Sequence, residues 1–457
     1  MQQSKKVLSV FSLVMINVIA VDSLRTLPIS AKLGLSLISY YLIAAIVFFI
    51  PVALVAAELA TAYPNTGGLY VWVREAFGRK AGFITIWLQW IYNVVWYPTM
   101  MAFIAVTLSY LIAPQYGSNK FFLLATSLIL FWIFTLLNCF GMKLSSIVST
   151  IGAIIGTIIP MIGIVIFGMI WLLQGKVVSI SPTASWLPDF SSFGNLSLFS
   201  VILFGLIGME MSAVHAEEVH NPQRDYPRAL FFSTLIIIST LVLGSLAIVF
   251  VVPNKELSVV SGLIDAYDIF FKSYHMPWMT PLLAVLIILG GLSGVSAWII
   301  GPTKGLLVSA RDGSIPHWFA KINKYGAPTT ILFTQAIIFS LLSSTFMLLD
   351  SINEAYWLLS DLSAQMALLV YIFMFAAAVK LRYSQPDRPR AYKIPGGNLV
   401  MWIISMLGIL CCIAAMAIGF VPPSQIPVGN VFVFECFLVF GLVLFVFLPW
   451  LMAKKDN

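Results

Sequence analysis

Two short runs carry the charges that this chain places deepest within apolar sequence. The first is Val21-Asp22-Ser23-Leu24-Arg25-Thr26-Leu27-Pro28, and the second is Phe204-Gly205-Leu206-Ile207-Gly208-Met209-Glu210-Met211-Ser212-Ala213. Asp22 and Arg25 are three residues apart, close enough on a helix to pair. Alternatively, the guanidinium of Arg25 has paired donors free for a carboxylate brought from outside. Pro28 lacks the amide that would bond in a helix, and its ring presses on the carbonyl of Leu24, so a kink or an unwound turn is expected. Gly205 and Gly208, weak helix formers three residues apart, allow the second run to open as well. Glu210 then stands at mid-depth as the partner of an ammonium group, as a proton carrier, or as a satisfied structural acceptor.

The elements that must position these groups follow from composition. The chain has 457 residues, 60% hydrophobic and only 9% charged, against roughly 25% charged in a soluble domain, which excludes a disordered segment or a nucleic-acid coat. An all-α membrane protein is expected. Apolar stretches broken by polar, Gly or Pro clusters give twelve candidate spans, numbered here in chain order: 8–34, 38–62, 81–113, 121–139, 147–173, 196–219, 230–252, 278–303, 329–349, 356–379, 399–420 and 431–451. The first resembles a signal peptide but runs on into further spans, and is read as a retained helix. A charge at the centre of a lipid-exposed helix costs about 2.5 to 3.5 kcal/mol, so both runs must face protein or water.

The runs fall in spans 1 and 6, each the first of a block of five. Interrupted helices at matching places in two halves point to a secondary transporter built as an inverted repeat, with cargo held where the breaks meet. A half-helix amino terminus suits a carboxylate and the carbonyl end of the other half suits an ammonium, so an amino acid matches both. With the amino terminus in the cytoplasm, the inner segments hold 19 Lys and Arg and the outer ones 5. That asymmetry predicts a multi-pass protein of the cytoplasmic (inner) membrane with both termini inside.

The remaining candidates are weaker. Gln89 and Asn93 share a face of span 3 among Trp87, Trp90, Tyr92, Trp96 and Tyr97 and are taken with the site, although helix-to-helix contacts explain many such patterns. Asp361, a short way into span 10, is either a vestibule carboxylate or a buried acceptor. His215 is a candidate pH sensor. With His220 it flanks Glu217 and Glu218, but a spacing of five puts the two imidazoles about 140° apart on a helix, so no metal is expected. Cys139, Cys411, Cys412 and Cys436 lie in apolar runs, which argues against disulfides and thiolate zinc. No Walker A pattern, nucleophile–base set or ring of pore charges is found, so an ATP-driven pump, an enzyme and a channel are all disfavoured, and no cofactor is expected. The basic segment 380–393 is read as a solvated loop touching anionic lipid. The oligomeric state is not encoded in any of these patterns.

Several stretches resemble the amino acid-polyamine-organocation (APC) superfamily of permeases. They are Ala57-Glu58-Leu59-Ala60 with Pro64, Gly67-Gly68, Tyr70, Phe77-Gly78 and Gly82-Phe83; Gly208 and Glu210 through Asn221-Pro222 to Arg224-Asp225-Tyr226-Pro227; and Gly301-Pro302 through Ala310-Arg311-Asp312-Gly313 to Ile315-Pro316. Val214-His215-Ala216-Glu217, Ala297-Trp298-Ile299-Ile300-Gly301-Pro302 and Ile394-Pro395-Gly396-Gly397 resemble bacterial glutamate/gamma-aminobutyrate antiporters most. The resemblance implies the leucine-transporter fold: a first repeat over 8–173, a second over 196–379, and two appended helices over 399–451, with discontinuous helices 1 and 6. It implies amino acid antiport, or else proton-coupled symport of another specificity. It also matches Glu210 to a glutamate near the site and Trp298 to an aromatic beside the cargo. The chain departs from the family in having Val21-Asp22-Ser23 in place of Gly-Ser-Gly, Arg25 further along that helix, Gly294 where the antiporters carry an acid, and only Ala453 through Asn457 after span 12. The expected substrate-binding set is Val21, Asp22, Ser23, Arg25, Gln89, Asn93, Gly205, Gly208, Met209, Glu210 and Trp298, with Glu210, His215 and Asp361 as gating or proton-coupling candidates.

Overall fold

The structure is a computed structural model, described here for residues 9–63, 67–140, 152, 154–180, 184–210, 219 and 221–452. Its described residues form helices and connecting segments and include no β-strand. Among the described residues, ten helices are long and apolar enough to cross a membrane, or eleven when the bent pair Val10–Val21 and Leu24–Ala31 is taken as one span. The sequence leads to twelve. The shortfall is span 6, whose described part is the short apolar stretch Phe193–Gly205.

Span 1 starts at Val10, capped by Ser9, whose hydroxyl accepts from the amide of Ser12. It runs to Val21, where Asp22 and Ser23 take extended backbone angles before a 3-10 turn over Leu24–Thr26 and the helix Leu27–Ala31. The two halves meet at 45°, and Pro28 sits in the first turn of the second half, where its missing amide costs nothing. Span 2 covers Gly34–Ala62 with a π-turn at Ala45–Phe49. Span 3 is Arg79–Ile112 and span 4 is Lys120–Cys139, while span 5 is described over Ile154–Leu173. Spans 7 to 12 follow as Pro222–Val251, Met279–Arg311, Thr329–Leu348, Ile352–Ser384, Gly397–Gly419 and Val431–Met452.

Burial sorts these helices. Span 3 is buried along most of its length and packs chiefly on spans 8 and 10. Its indole and phenol rings fill the centre, and Trp90 Nε1 donates to Gln335 Oε1 of span 9 at 3.2 Å. Spans 4, 5, 11 and 12 instead turn Phe121, Ile133, Met169, Leu410 and Phe440 outwards, the surface a bilayer covers. Two helices lie outside the twelve expected spans. The amphipathic Leu69–Phe77 is bounded by Gly68 and Gly78, both at positive φ, and Gly262–Ser273 lies between spans 7 and 8.

Ion pairs tie the ends of the spans. Glu58, near the end of span 2, accepts from Arg382 of span 10 at 2.6 Å, lies 3.3 Å from Arg390 and takes the amide of Ile394 at 2.8 Å. Arg74 of the Leu69–Phe77 helix meets Asp312, just beyond span 8, at 2.5 Å, and the Tyr70 hydroxyl donates to the same carboxylate at 2.9 Å.

Candidate functional site

In span 6 the helix stops at Gly205, and the amides of Leu206 and Ile207 fall back on the carbonyls of Leu203 and Phe204. Gly208 follows at φ +129°, a conformation that residues with a Cβ rarely adopt. A Cβ on Gly208 would meet the Ala20 carbonyl oxygen at 2.9 Å, and one on Gly205 would meet Thr26 at 3.2 Å. The two breaks therefore lie against each other, backbone to backbone.

Between them is a cavity of about 50 Å³ lined by Ala20, Val21, Ser23, Arg25 and Thr26 of span 1, Phe204, Gly205 and Ile207 of span 6, Tyr92, Asn93 and Trp96 of span 3, and Trp298 of span 8. Ligand pockets usually exceed roughly 300 Å³, so the breaks must part before an amino acid fits. A hollow of about 680 Å³ at the far end of span 1, with Lys32, Asp189 and Glu256 on its walls, is larger but includes no residue of either break. Size is therefore a poor guide to the site here.

Of the residues singled out from sequence, Val21, Ser23, Arg25, Asn93, Gly205 and Trp298 line this cavity. Gln89 is one turn away along span 3, where its carbonyl accepts the Asn93 side-chain amide at 2.8 Å. Gly208, Met209 and Glu210 are buried behind the lining. Glu210 accepts from the Gly208 amide at 3.2 Å and from the Tyr371 hydroxyl of span 10 at 2.7 Å, and its second oxygen is buried with no partner among the described residues. Asp361 is 0% exposed in this closed arrangement and accepts from Ser200 of span 6 at 2.8 Å. His215 lies outside the described residues.

The Asp22–Arg25 pair is not formed. The helix ends between them, so their side chains leave in different directions. Asp22 reaches Thr240 of span 7, whose Oγ1 is 3.1 Å from each carboxylate oxygen. Arg25 is 1% exposed and donates to Thr99 of span 3 at 3.1 Å and to Tyr356 and Ser360 of span 10 at 3.3 Å each. Its guanidinium also stands over the rings of Trp96 and Tyr356 at 5.7 and 5.6 Å. Among the described residues no carboxylate lies within 4.0 Å of it, and its Nε is buried without a partner. Thr99, Tyr356, Ser360, Tyr371 and Thr240 escape sequence reasoning, since hydroxyls in apolar spans are common and carry no spacing signal. Tyr92 and Trp96 are visible as part of the aromatic face of span 3.

A bundle of membrane-spanning helices, with one span bent at a break and a second helix stopping at Gly205 beside it around a small, partly polar cavity, is the build of a solute transporter. The chain belongs to the amino acid permease family, whose model matches residues 6–444. It is 77% identical to an uncharacterized transporter of Legionella pneumophila, covering 100% of this chain and 98% of that one. It is 29% identical to the glutamate/gamma-aminobutyrate antiporter of Lactococcus lactis, covering 99% of this chain and 92% of the relative. A probable agmatine/putrescine antiporter of the same species is 25% identical over 92% of this chain and 90% of its own length.

Proposed function

We propose that the protein exchanges amino acids across the cytoplasmic membrane by alternating access, in a leucine-transporter arrangement of two inverted five-helix repeats and two further helices, with both termini in the cytoplasm. The observation that carries this reading is the direct contact of the two breaks, Gly208 against Ala20, at a cavity lined from spans 1, 3, 6 and 8. Unwound backbone is tolerated at that depth only where it is buried or lines a cavity. Spans 1 and 6 rock together against span 3, and the cavity opens first to one side and then to the other.

The cargo is an acidic amino acid rather than a diamine. Arg25 brings to the cavity wall a positive charge that no carboxylate among the described residues pairs with, and it attracts a second carboxylate and repels a cation. The relatives named for glutamate and gamma-aminobutyrate support this choice through glutamate, the partner of the two that has a second carboxylate. A proton-coupled symporter is the competing reading, favoured by the buried carboxylates Glu210 and Asp361. Purified protein in liposomes, loaded with unlabelled amino acid and given labelled amino acids outside, separates the two. Uptake only against internal amino acid supports exchange, whereas equal uptake into empty, acid-driven vesicles refutes it. Labelled putrescine should not enter.

A further inference from the structure

We infer that Asp22 is a proton-binding site and that the closed arrangement of span 1 requires it to be protonated. The inference rests on the alternating-access reading above and concerns how the break in span 1 is held. Asp22 is buried, lies directly between the cavity-lining Val21 and Ser23, and points away from the cavity onto span 7. Thr240 Oγ1 is its only side-chain hydrogen-bond partner among the described residues.

The hydrogen count at that contact is decisive. Thr240 has one hydroxyl hydrogen and four acceptors in range: the Ile236 and Ile237 carbonyls at 2.9 and 3.0 Å and the two Asp22 oxygens at 3.1 Å. A threonine inside a helix ordinarily gives its hydrogen to a carbonyl three or four residues back. When it does, Thr240 can only accept from Asp22, and the carboxyl must supply the hydrogen. When it does not, a full negative charge inside the membrane rests on one neutral hydroxyl. No lysine, arginine or histidine among the described residues forms an ion pair with Asp22, and the titratable group facing it from span 2 is the neutral phenol of Tyr41, engaged with Ser30 at 2.8 Å. From span 7, Thr240 is the side chain that hydrogen-bonds it among the described residues. Both placements of the hydrogen favour the protonated acid.

The consequence is a condition on closure. A charged Asp22 draws water to the break and comes away from span 7. A neutral one docks there, and the break closes over its cargo. One proton binds as span 1 docks and is available for release once the cavity reopens.

Infrared titration of the purified protein reads this without any cargo. The carbonyl stretch of a protonated carboxyl should be present at neutral pH, disappear as pH rises, and be missing from Asp22→Asn. Thr240→Val keeps the carboxyl and should shift the same band. Homo-exchange of labelled glutamate, with equal pH on both sides of the liposome, should fall by roughly tenfold per pH unit above the Asp22 midpoint and become flat with pH in Asp22→Asn. A wild-type band that is already ionised at neutral pH, or an Asn variant with the wild-type pH profile, overturns the inference. Absence of glutamate exchange at every pH refutes the acidic-cargo reading instead, and leaves the infrared result to decide on Asp22.

Discussion

Gly208 of span 6 packs so closely on span 1 that a Cβ would lie 2.9 Å from the Ala20 carbonyl oxygen. Two constraints coincide there: the backbone angle of +129° that only glycine adopts easily, and the lack of space for even a methyl group. Gly208→Ala should therefore lower the initial exchange rate by at least about tenfold, a barrier change of roughly 1.4 kcal/mol. Gly294→Ala is the control, since its added carbon would meet nothing within 4 Å. Equal rates for the two variants, at equal amounts in the membrane, would remove the break-to-break contact from the mechanism.

Arg25 tests the identity of the cargo. A hydrogen bond to a charged group is worth about 1.5 to 3 kcal/mol, so Arg25→Ala should weaken half-saturation by acidic amino acids at least about tenfold more than by neutral ones. Arg25→Lys keeps the charge but loses the planar guanidinium, whose Nη1 lies within hydrogen-bond reach of Thr99, Tyr356 and Ser360 and which stands over the rings of Trp96 and Tyr356. It should recover only part of the preference. A uniform loss across a panel of labelled amino acids would show that Arg25 holds span 1 to spans 3 and 10 and selects nothing.

The breaks were legible from sequence because charge, glycine and proline are conspicuous inside apolar runs. Val21, Ser23, Arg25 and Gly205 of the breaks, and with them Asn93 and Trp298 of spans 3 and 8, come together in one lining. The partners of the charges were not legible. Thr240 lies 218 residues from Asp22, and Thr99 and Ser360 lie 74 and 335 from Arg25. A proximity argument within one helix favours the local Asp22–Arg25 pair, and it fails because the helix that would bring the two together is interrupted between them. Likewise, the nine-residue helix Leu69–Phe77 falls between the expected spans 38–62 and 81–113, because it is too short to register as an apolar span.

Two ion pairs at the ends of the spans should differ sharply in their worth. The Glu58–Arg382 pair has side chains only 3% and 2% exposed, and Glu58 also holds Arg390 and the Ile394 amide. Breaking a buried pair from one side costs about 3 to 5 kcal/mol because the remaining charge is stranded. Arg74–Asp312, with side chains 28% and 32% exposed, is worth at most about 1 kcal/mol and is screened by salt. Thermal unfolding in detergent should thus fall markedly for Glu58→Gln and barely for Arg74→Gln. Similar shifts for both would contradict the assignment of burial.

Tyr371 provides the last test, because it separates the anchoring of Glu210 from its charge. Its hydroxyl donates to Glu210 Oε2 at 2.7 Å, the same oxygen that receives the Gly208 amide at 3.2 Å, so one carboxylate fastens the span 6 break to span 10. Tyr371→Phe preserves the ring, which packs edge-on to Phe48 at 5.3 Å, and removes only that donor. A buried carboxyl deprived of one hydrogen bond loses about 1 to 3 kcal/mol, so exchange should slow by roughly tenfold or more with little change in expression. Glu210→Gln keeps an acceptor for the same phenol and the same amide while discarding the charge. If Glu210 acts as an anchor, the Gln variant should transport better than Tyr371→Phe. If it acts through its charge, the order reverses, and initial rates of counterflow measured side by side decide between them.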